Sequence, residues 1–120
     1  MTGPAFRLLE SRATDEGWTC RVQALDPNPA CEGHFPGEPI VPGVAQLGLA
    51  QDLIREVTGN AHRLTAIRSL KLRRLIRPGE ALDVRLGRPA ADGALRFEMS
   101  CDGERVSQGA FVVAPSAARG

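Results

Sequence analysis

The chain has 120 residues, of which 42% are hydrophobic and 24% are charged, and its formal net charge is +1. This length is typical of one domain with a single core, and the nearly balanced charge excludes a general attraction to nucleic acid or to a membrane surface. No apolar run approaches the ~18 residues that span a bilayer. The three cysteines, Cys20, Cys31 and Cys101, form no CxxC pair, which favours reduced thiols in a cytoplasmic protein.

One stretch of the chain combines a stiff loop with a helix start. Residues 33–44 contain prolines and glycines so densely that we expect a shaped, rigid loop, with His34 at its beginning. From Val44 to Val57 apolar residues recur at helical spacing, and residues 58–60 read as a helix C-terminus. A proton-transfer group would therefore lie beside the free N–H groups of a helix start, which favour a developing negative charge.

Strand patterns lie on both sides of this helix. A short apolar piece at residues 6–9 and a polar turn at residues 14–17 precede the first of them. Strands are predicted at residues 18–24, 66–76, 82–86, 95–101 and 106–113. Tight turns join the last four, so we expect antiparallel neighbours in a sheet that covers the apolar face of the helix. The prediction is one α+β domain over residues 1–120, with a core at about 6–114 and a frayed tail at 115–120.

The loop and the helix start carry a family resemblance. The segment from His34 to Val44 reads HFPGEPIVPGV, and KLRRLIRPGE follows at residues 71–80. These motifs resemble those of the hot-dog-fold 3-hydroxyacyl-(acyl carrier protein) dehydratases of bacterial fatty acid synthesis. The variant GVAQL at residues 43–47 is more similar to the dehydratase-like proteins of aryl polyene and related lipid gene clusters. The resemblance implies a hot-dog fold, with a curved antiparallel sheet wrapped around one long central helix, and a homodimer or higher homo-oligomer with acyl tunnels.

The resemblance also implies roles for particular residues. In this family a histidine works with a carboxylate on the central helix of the partner subunit. His34 matches the histidine, and Gly43 matches the residue whose backbone N–H polarises the thioester carbonyl. The carboxylate position, fourteen residues after the histidine, is occupied by Gly48. Substrate contacts are expected from Phe35, Gly43, Val44, Gln46 and Gly48.

The glycine at position 48 leaves the identity of the proton donor open. Dehydration needs a base for the proton next to the carbonyl, donors for the enolate-like oxygen, and an acid for the departing hydroxyl. Asp52, four residues beyond Gly48 on the same helix face, is the candidate acid, and a solvated helix carboxylate is the plain alternative. Otherwise His34 returns its own proton to the hydroxyl, with Gln46, Gln51 or water orienting the leaving group.

The expected function is that of a (3R)-hydroxyacyl-acyl carrier protein dehydratase, a hydro-lyase, or of a close variant in fatty acid, polyene or polyketide-type biosynthesis. A catalytically reduced acyl-binding hot-dog protein and an acyl thioesterase are the alternatives. The expected partner is an acidic acyl carrier protein that docks on Arg73, Arg74 and Arg77, for which a solvated strand face is the plain alternative. We expect no cofactor and no metal, because His62 is the only other histidine.

Overall fold

The structure is a computed structural model that describes residues 5–26, 28, 41 and 43–116. Within this part of the chain there is one helix, α1, which spans Val44–Val57. There are six strands: β1 (Phe6–Thr14), β2 (Gly17–Ala24), β3 (His62–Leu72), β4 (Ala81–Gly87), β5 (Ala94–Cys101) and β6 (Glu104–Pro115). No helix in the described residues has the length and apolar character needed to cross a membrane.

The six strands form one antiparallel sheet in the order β1-β2-β4-β5-β6-β3. Hairpins join β4 to β5 and β5 to β6, as the turn residues predict. The prediction that the 66–76 and 82–86 strands are neighbours is wrong, because β3 pairs with β6 whereas β4 pairs with β2 and β5. Residues 73–80 carry the chain from one edge of the sheet to its middle.

Three predicted boundaries differ from the observed ones. The apolar piece at residues 6–9 is the start of the nine-residue β1, whose polar half pairs with β2. β3 covers His62–Leu72 instead of residues 66–76, since its partner strand β6 begins at Glu104 and ends at Pro115. Pro115 therefore lies in β6 rather than in a frayed tail. Cross-strand pairing decides these limits, and pairing leaves little trace in local composition.

The core lies between one face of α1 and one face of the sheet. Leu49, Ala50, Leu53 and Ile54 of the helix are buried, at the spacing that one helical face requires. The inward residues of the strands complete the cluster, in which the rings of Phe97 and Phe111 lie 5.2 Å apart between centroids. One helix packed on an antiparallel sheet is the α+β hot-dog arrangement that the family resemblance implies.

Both edge strands of the described sheet are mostly exposed. β1 and β3 each have a neighbour on one side only. β3 is eleven residues long and mostly exposed, and it shows apolar side chains at its surface, with Ile67 45% exposed. A long exposed edge strand of this kind is a ready site for pairing with another chain.

Candidate active site

The structure places five of the predicted site residues on the first three turns of α1 and at its start. Gly43 immediately precedes the helix, and Val44, Gln46, Gly48 and Asp52 lie within it. His34 and Phe35 lie outside the described residues, so their predicted roles stay predictions.

A cleft of about 270 Å³ opens beside the start of α1. Val41, Gly43 and Gln46 line one side of it, and residues 72–76 line the other. The two sides are held together by a backbone hydrogen bond of 2.8 Å from the Val41 N–H to the Ile76 carbonyl oxygen. The turn that crosses the sheet therefore forms one wall of the cleft.

The first turn of α1 lies beside this cleft, and one of its backbone N–H groups, that of Gln46, donates to the Gly43 carbonyl oxygen at 3.0 Å. Among the described residues no side chain caps the helix at Gly43, and the first turn holds no acidic residue. The other N–H groups at the start of an α-helix have no partner within the helix, and the helix start carries a partial positive charge. A Cβ at Gly43 would lie 2.6 Å from Cδ1 of Leu72, the end of an exposed side chain that can move aside. The donor predicted at Gly43 thus belongs to a residue that lines the cleft, and its role stays a prediction.

Gln46 lies in the same turn and is almost fully buried, with 3% of its surface exposed. Its Oε1 accepts a hydrogen bond of 2.6 Å from the Ser107 hydroxyl, and Ser107 is completely buried in β6. The prediction from sequence had not identified Ser107. The one feature that could have identified it is the presence of a polar residue at an inward position of β6, where Ser107 lies opposite the buried Met99 of β5.

Gly48 and Asp52 lie on a different side of the helix from Gln46. Gly48 is exposed, and a Cβ added there would meet no described atom within 4 Å. Asp52, one turn further on, is half-buried, and this burial raises the pKa of its carboxyl above the ordinary value, against the opposing charge of Arg55. Of the described residues, neither Gly48 nor Asp52 nor Val44 lines the cleft.

The three arginines predicted to dock a partner have unlike environments. Arg73 and Arg77 are exposed, whereas Arg74 is half-buried. The Arg74 guanidinium donates to both carboxylate oxygens of Glu80 at 3.1 and 2.6 Å, and its Nε donates to Glu104 at 3.0 Å. Its charge is therefore balanced within the chain.

The Arg74–Glu80 pair also shapes the wall of the cleft. Glu80 Oε1 accepts the Arg77 backbone N–H at 2.7 Å, and Arg74 donates to the Leu75 carbonyl oxygen at 3.1 Å. The hydrogen bonds from Arg74 hold the pKa of the Glu80 carboxyl below its ordinary value, although partial burial acts in the opposite direction. A bidentate pair that also binds the backbone fixes the segment between β3 and β4.

A comparison with known protein families gives a match to most of this domain. The family model described as "ApeI-like: ApeI dehydratase" matches residues 10–110. The chain belongs to the ApeI-like dehydratase family. This membership confirms the predicted kinship with hot-dog dehydratases.

Curated relatives of this ApeI-like chain are named 3-hydroxyacyl-[acyl-carrier-protein] dehydratase FabZ. The protein from Acetivibrio thermocellus is 34% identical over 91 residues, which cover 68% of this chain and 62% of that protein. The protein from Latilactobacillus sakei is 36% identical over 62 residues, which cover 46% of this chain and 44% of that protein. The chain thus spans less than two thirds of the length of these relatives.

Solved structures resemble the chain over nearly its full length. An uncharacterised protein from Erwinia carotovora subsp. atroseptica is 27% identical, with a TM-score of 0.78 over 92% of this chain and 96% of that one. The dehydratase heterocomplex ApeI:P from Xenorhabdus doucetiae is 19% identical, with a TM-score of 0.79 over 90% of this chain and 96% of that one. At that identity the second likeness shows the shared fold alone.

We expect Glu80→Gln to lower the free energy of unfolding by about 1–3 kcal/mol at neutral pH, because Arg74 loses its bidentate carboxylate partner in a half-buried site and keeps only the exposed Glu104. The pKa of Glu80 is lowered in the folded state, so the pair stabilises the protein above the unfolded pKa and loses this contribution as the pH falls through the lowered value. Urea unfolding at several pH values should therefore show the difference from wild type shrinking in acid.

Glu98→Gln is the matched control for this experiment. It removes the partner of Arg105 in a more exposed pair, whose N–O distance is 3.3 Å. Such pairs contribute about 0–1 kcal/mol. Equal losses of stability in the two variants would contradict the role assigned to the Arg74–Glu80 pair.

Proposed function

We propose that this chain dehydrates a (3R)-hydroxyacyl thioester carried by an acyl carrier protein. The observation that carries the proposal is membership of the ApeI-like dehydratase family over residues 10–110. The names of the FabZ relatives supply the substrate class. The cleft beside the helix start at Gly43 supports the same chemistry, because an enolate-like oxygen needs donors and a helix start supplies backbone N–H groups.

In the proposed reaction His34 acts as the base. It takes the proton from the carbon next to the thioester carbonyl, and the electron pair moves toward the carbonyl oxygen. The Gly43 N–H stabilises the negative charge on that oxygen. The electron pair then returns to form the carbon–carbon double bond, the bond to the 3-hydroxyl breaks, and the hydroxyl leaves with a proton as water.

We assign the proton for the leaving hydroxyl to Asp52. Its pKa is raised by partial burial, which favours the protonated form that an acid needs. Gly48, one turn before it, adds no side chain to the helix surface between Asp52 and the helix start. Both residues face outward within one chain, so we infer that Asp52 acts on the substrate at an interface with a second subunit.

Four proteins test this mechanism with a 3-hydroxyacyl thioester, by following the absorbance of the enoyl product. Wild type should be active, and His34→Ala should abolish turnover. Asp52→Asn should lower turnover by about 10²-fold or more, the usual effect of a positioned proton donor. Glu56→Gln, at an exposed position of the same helix, is the control and should leave turnover unchanged.

Other results of the same assay would distinguish between the roles proposed for His34 and Asp52. An active wild type with an unaffected Asp52→Asn variant would leave His34, alone or through water, as the proton donor. Wild-type turnover in His34→Ala would remove His34 from the mechanism. Release of free thiol instead of the enoyl product would indicate a thioesterase.

A second candidate function is that of a catalytically reduced subunit that assembles with a competent one. The observation that favours it is Gly48, an exposed helix position without a carboxylate and with open space around it. The structurally similar protein from Xenorhabdus doucetiae forms a dehydratase heterocomplex. In this case wild type alone should be inactive, and Gly48→Glu should create activity, since the open position accepts a longer side chain.

We further propose that two copies of the chain pair through the exposed edge of β3. Ile67→Lys places a charge on this edge and should shift the chain toward monomer, because a buried charge without a partner opposes strand pairing. Leu9→Lys is a matched control on the opposite edge strand, where Leu9 is 46% exposed against 45% for Ile67. Light scattering at micromolar concentration gives the mass. A monomeric wild type, or dissociation caused by the control alone, would rule out this interface.

Arg73 and Arg77 are the residues we propose for docking the acidic carrier protein, since both are exposed beside the cleft wall. Reversing both charges to Glu should slow turnover of a carrier-linked substrate and make it less sensitive to salt, but should not affect a short thioester analogue. Reversing Arg12 and Arg85, which lie on another surface of the sheet, is the control. An equal loss for both substrates would exclude the docking role.

A further inference from the structure

The Gln46 carboxamide is a buried polar group that the proposed reaction does not yet use. Only 3% of the residue is exposed, yet it lines the cleft together with Gly43. A buried amide group without partners is costly, so its hydrogen bonds indicate which way it faces. Its Oε1 accepts a hydrogen bond of 2.6 Å from the Ser107 hydroxyl. The NH2 group of the same amide therefore faces away from Ser107.

The direction of the side chain brings this NH2 group toward the helix start. Side chains of an α-helix point back toward its N-terminus, and a residue three positions after another lies above it on the same face. Gln46 stands three residues after Gly43, and the two are joined by a 3.0 Å hydrogen bond from the Gln46 N–H to the Gly43 carbonyl oxygen. Among the described residues, Gln46 Nε2 has no hydrogen-bond partner.

We propose that Ser107 is a positioning residue, which holds the Gln46 carboxamide so that its NH2 group donates to the thioester carbonyl oxygen beside the Gly43 N–H. This inference rests on the proposed function, because it gives the substrate thioester a second donor at the same oxygen. No covalent bond to Gln46 or Ser107 forms. The amide stabilises the negative charge that appears on the oxygen when the neighbouring carbon loses its proton.

The buried position of Ser107 explains why the amide would be held so firmly. Ser107 lies on β6 and pairs with Met99 of β5 and with Leu72 of β3, so its backbone is fixed by the sheet on both sides. Its hydroxyl is completely buried and has one proton to donate. A donor that is already fixed in position can stabilise the developing charge without first having to be oriented.

A double-mutant cycle on kcat tests the proposal. Gln46→Met keeps the length of the side chain but removes the donor, and it should lower kcat by about 10²-fold with little change in KM. Ser107→Ala should lower kcat about tenfold, since it loosens the amide without removing it. The double variant should be no slower than Gln46→Met alone, because Ser107 acts only through Gln46.

The control is Ser100→Ala, which removes a partly exposed hydroxyl from β5, and it should leave kcat unchanged. Independent, additive losses in the double variant would overturn the positioning role. A faster Gln46→Met variant would also overturn it, since it would mean that Oε1 faces the cleft and repels the charged oxygen.

A second measurement keeps this inference separate from the proposed function. The ¹³C chemical shift of a labelled thioester carbonyl should move on binding to wild type, and this movement should shrink in Gln46→Met and in Ser107→Ala but not in Ser100→Ala. Binding with that shift but without turnover would overturn the dehydratase proposal and support the amide contact. Turnover with an identical shift in all four proteins would overturn the amide contact alone.

Discussion

The burial of one face of α1 against the sheet is the interaction on which the candidate site depends. A fourteen-residue helix is marginal by itself in water, so its stability must come from packing. Leu49, Leu53 and Ile54 are buried almost completely, and each such burial stabilises the fold by about 1.5–3 kcal/mol. This packing fixes the helix axis, and with it the position of the first turn beside the cleft.

The arginines between β3 and β4 have different roles: one stabilises the fold, and two lie exposed at the surface. Three arginines lie within five residues, but the fold uses Arg74 to hold Glu80 and the turn backbone. Val41 pairs with Ile76 in this same segment, so the clamp also supports the chain just before the helix start. Only Arg73 and Arg77 keep exposed side chains for a partner.

The side chains of α1 that the reaction would need lie on different faces of the helix. Two residues correspond to about 200° around a helix, so Gln46 faces the core while Gly48 faces outward. Among the described residues, the cleft of one chain holds no carboxylic acid. An acid at Asp52 is compatible with this arrangement if the outward face of the helix meets a second subunit, which the exposed edge of β3 would allow.

The sequence by itself determined the elements whose signals are local. Helical periodicity located α1, alternation located β5, and the glycines at the predicted hairpins adopt positive φ, 87° at Gly93 and 83° at Gly103. The motif resemblance predicted the family, which is confirmed, and a role for Gly43 that stays a prediction. Tertiary structure alone decided the neighbours of β3, the length of β1, the neutralisation of Arg74 and the contact of Ser107 with Gln46. Each of these joins residues distant in the chain, and a polar side chain looks the same in sequence whether it faces water or a buried partner.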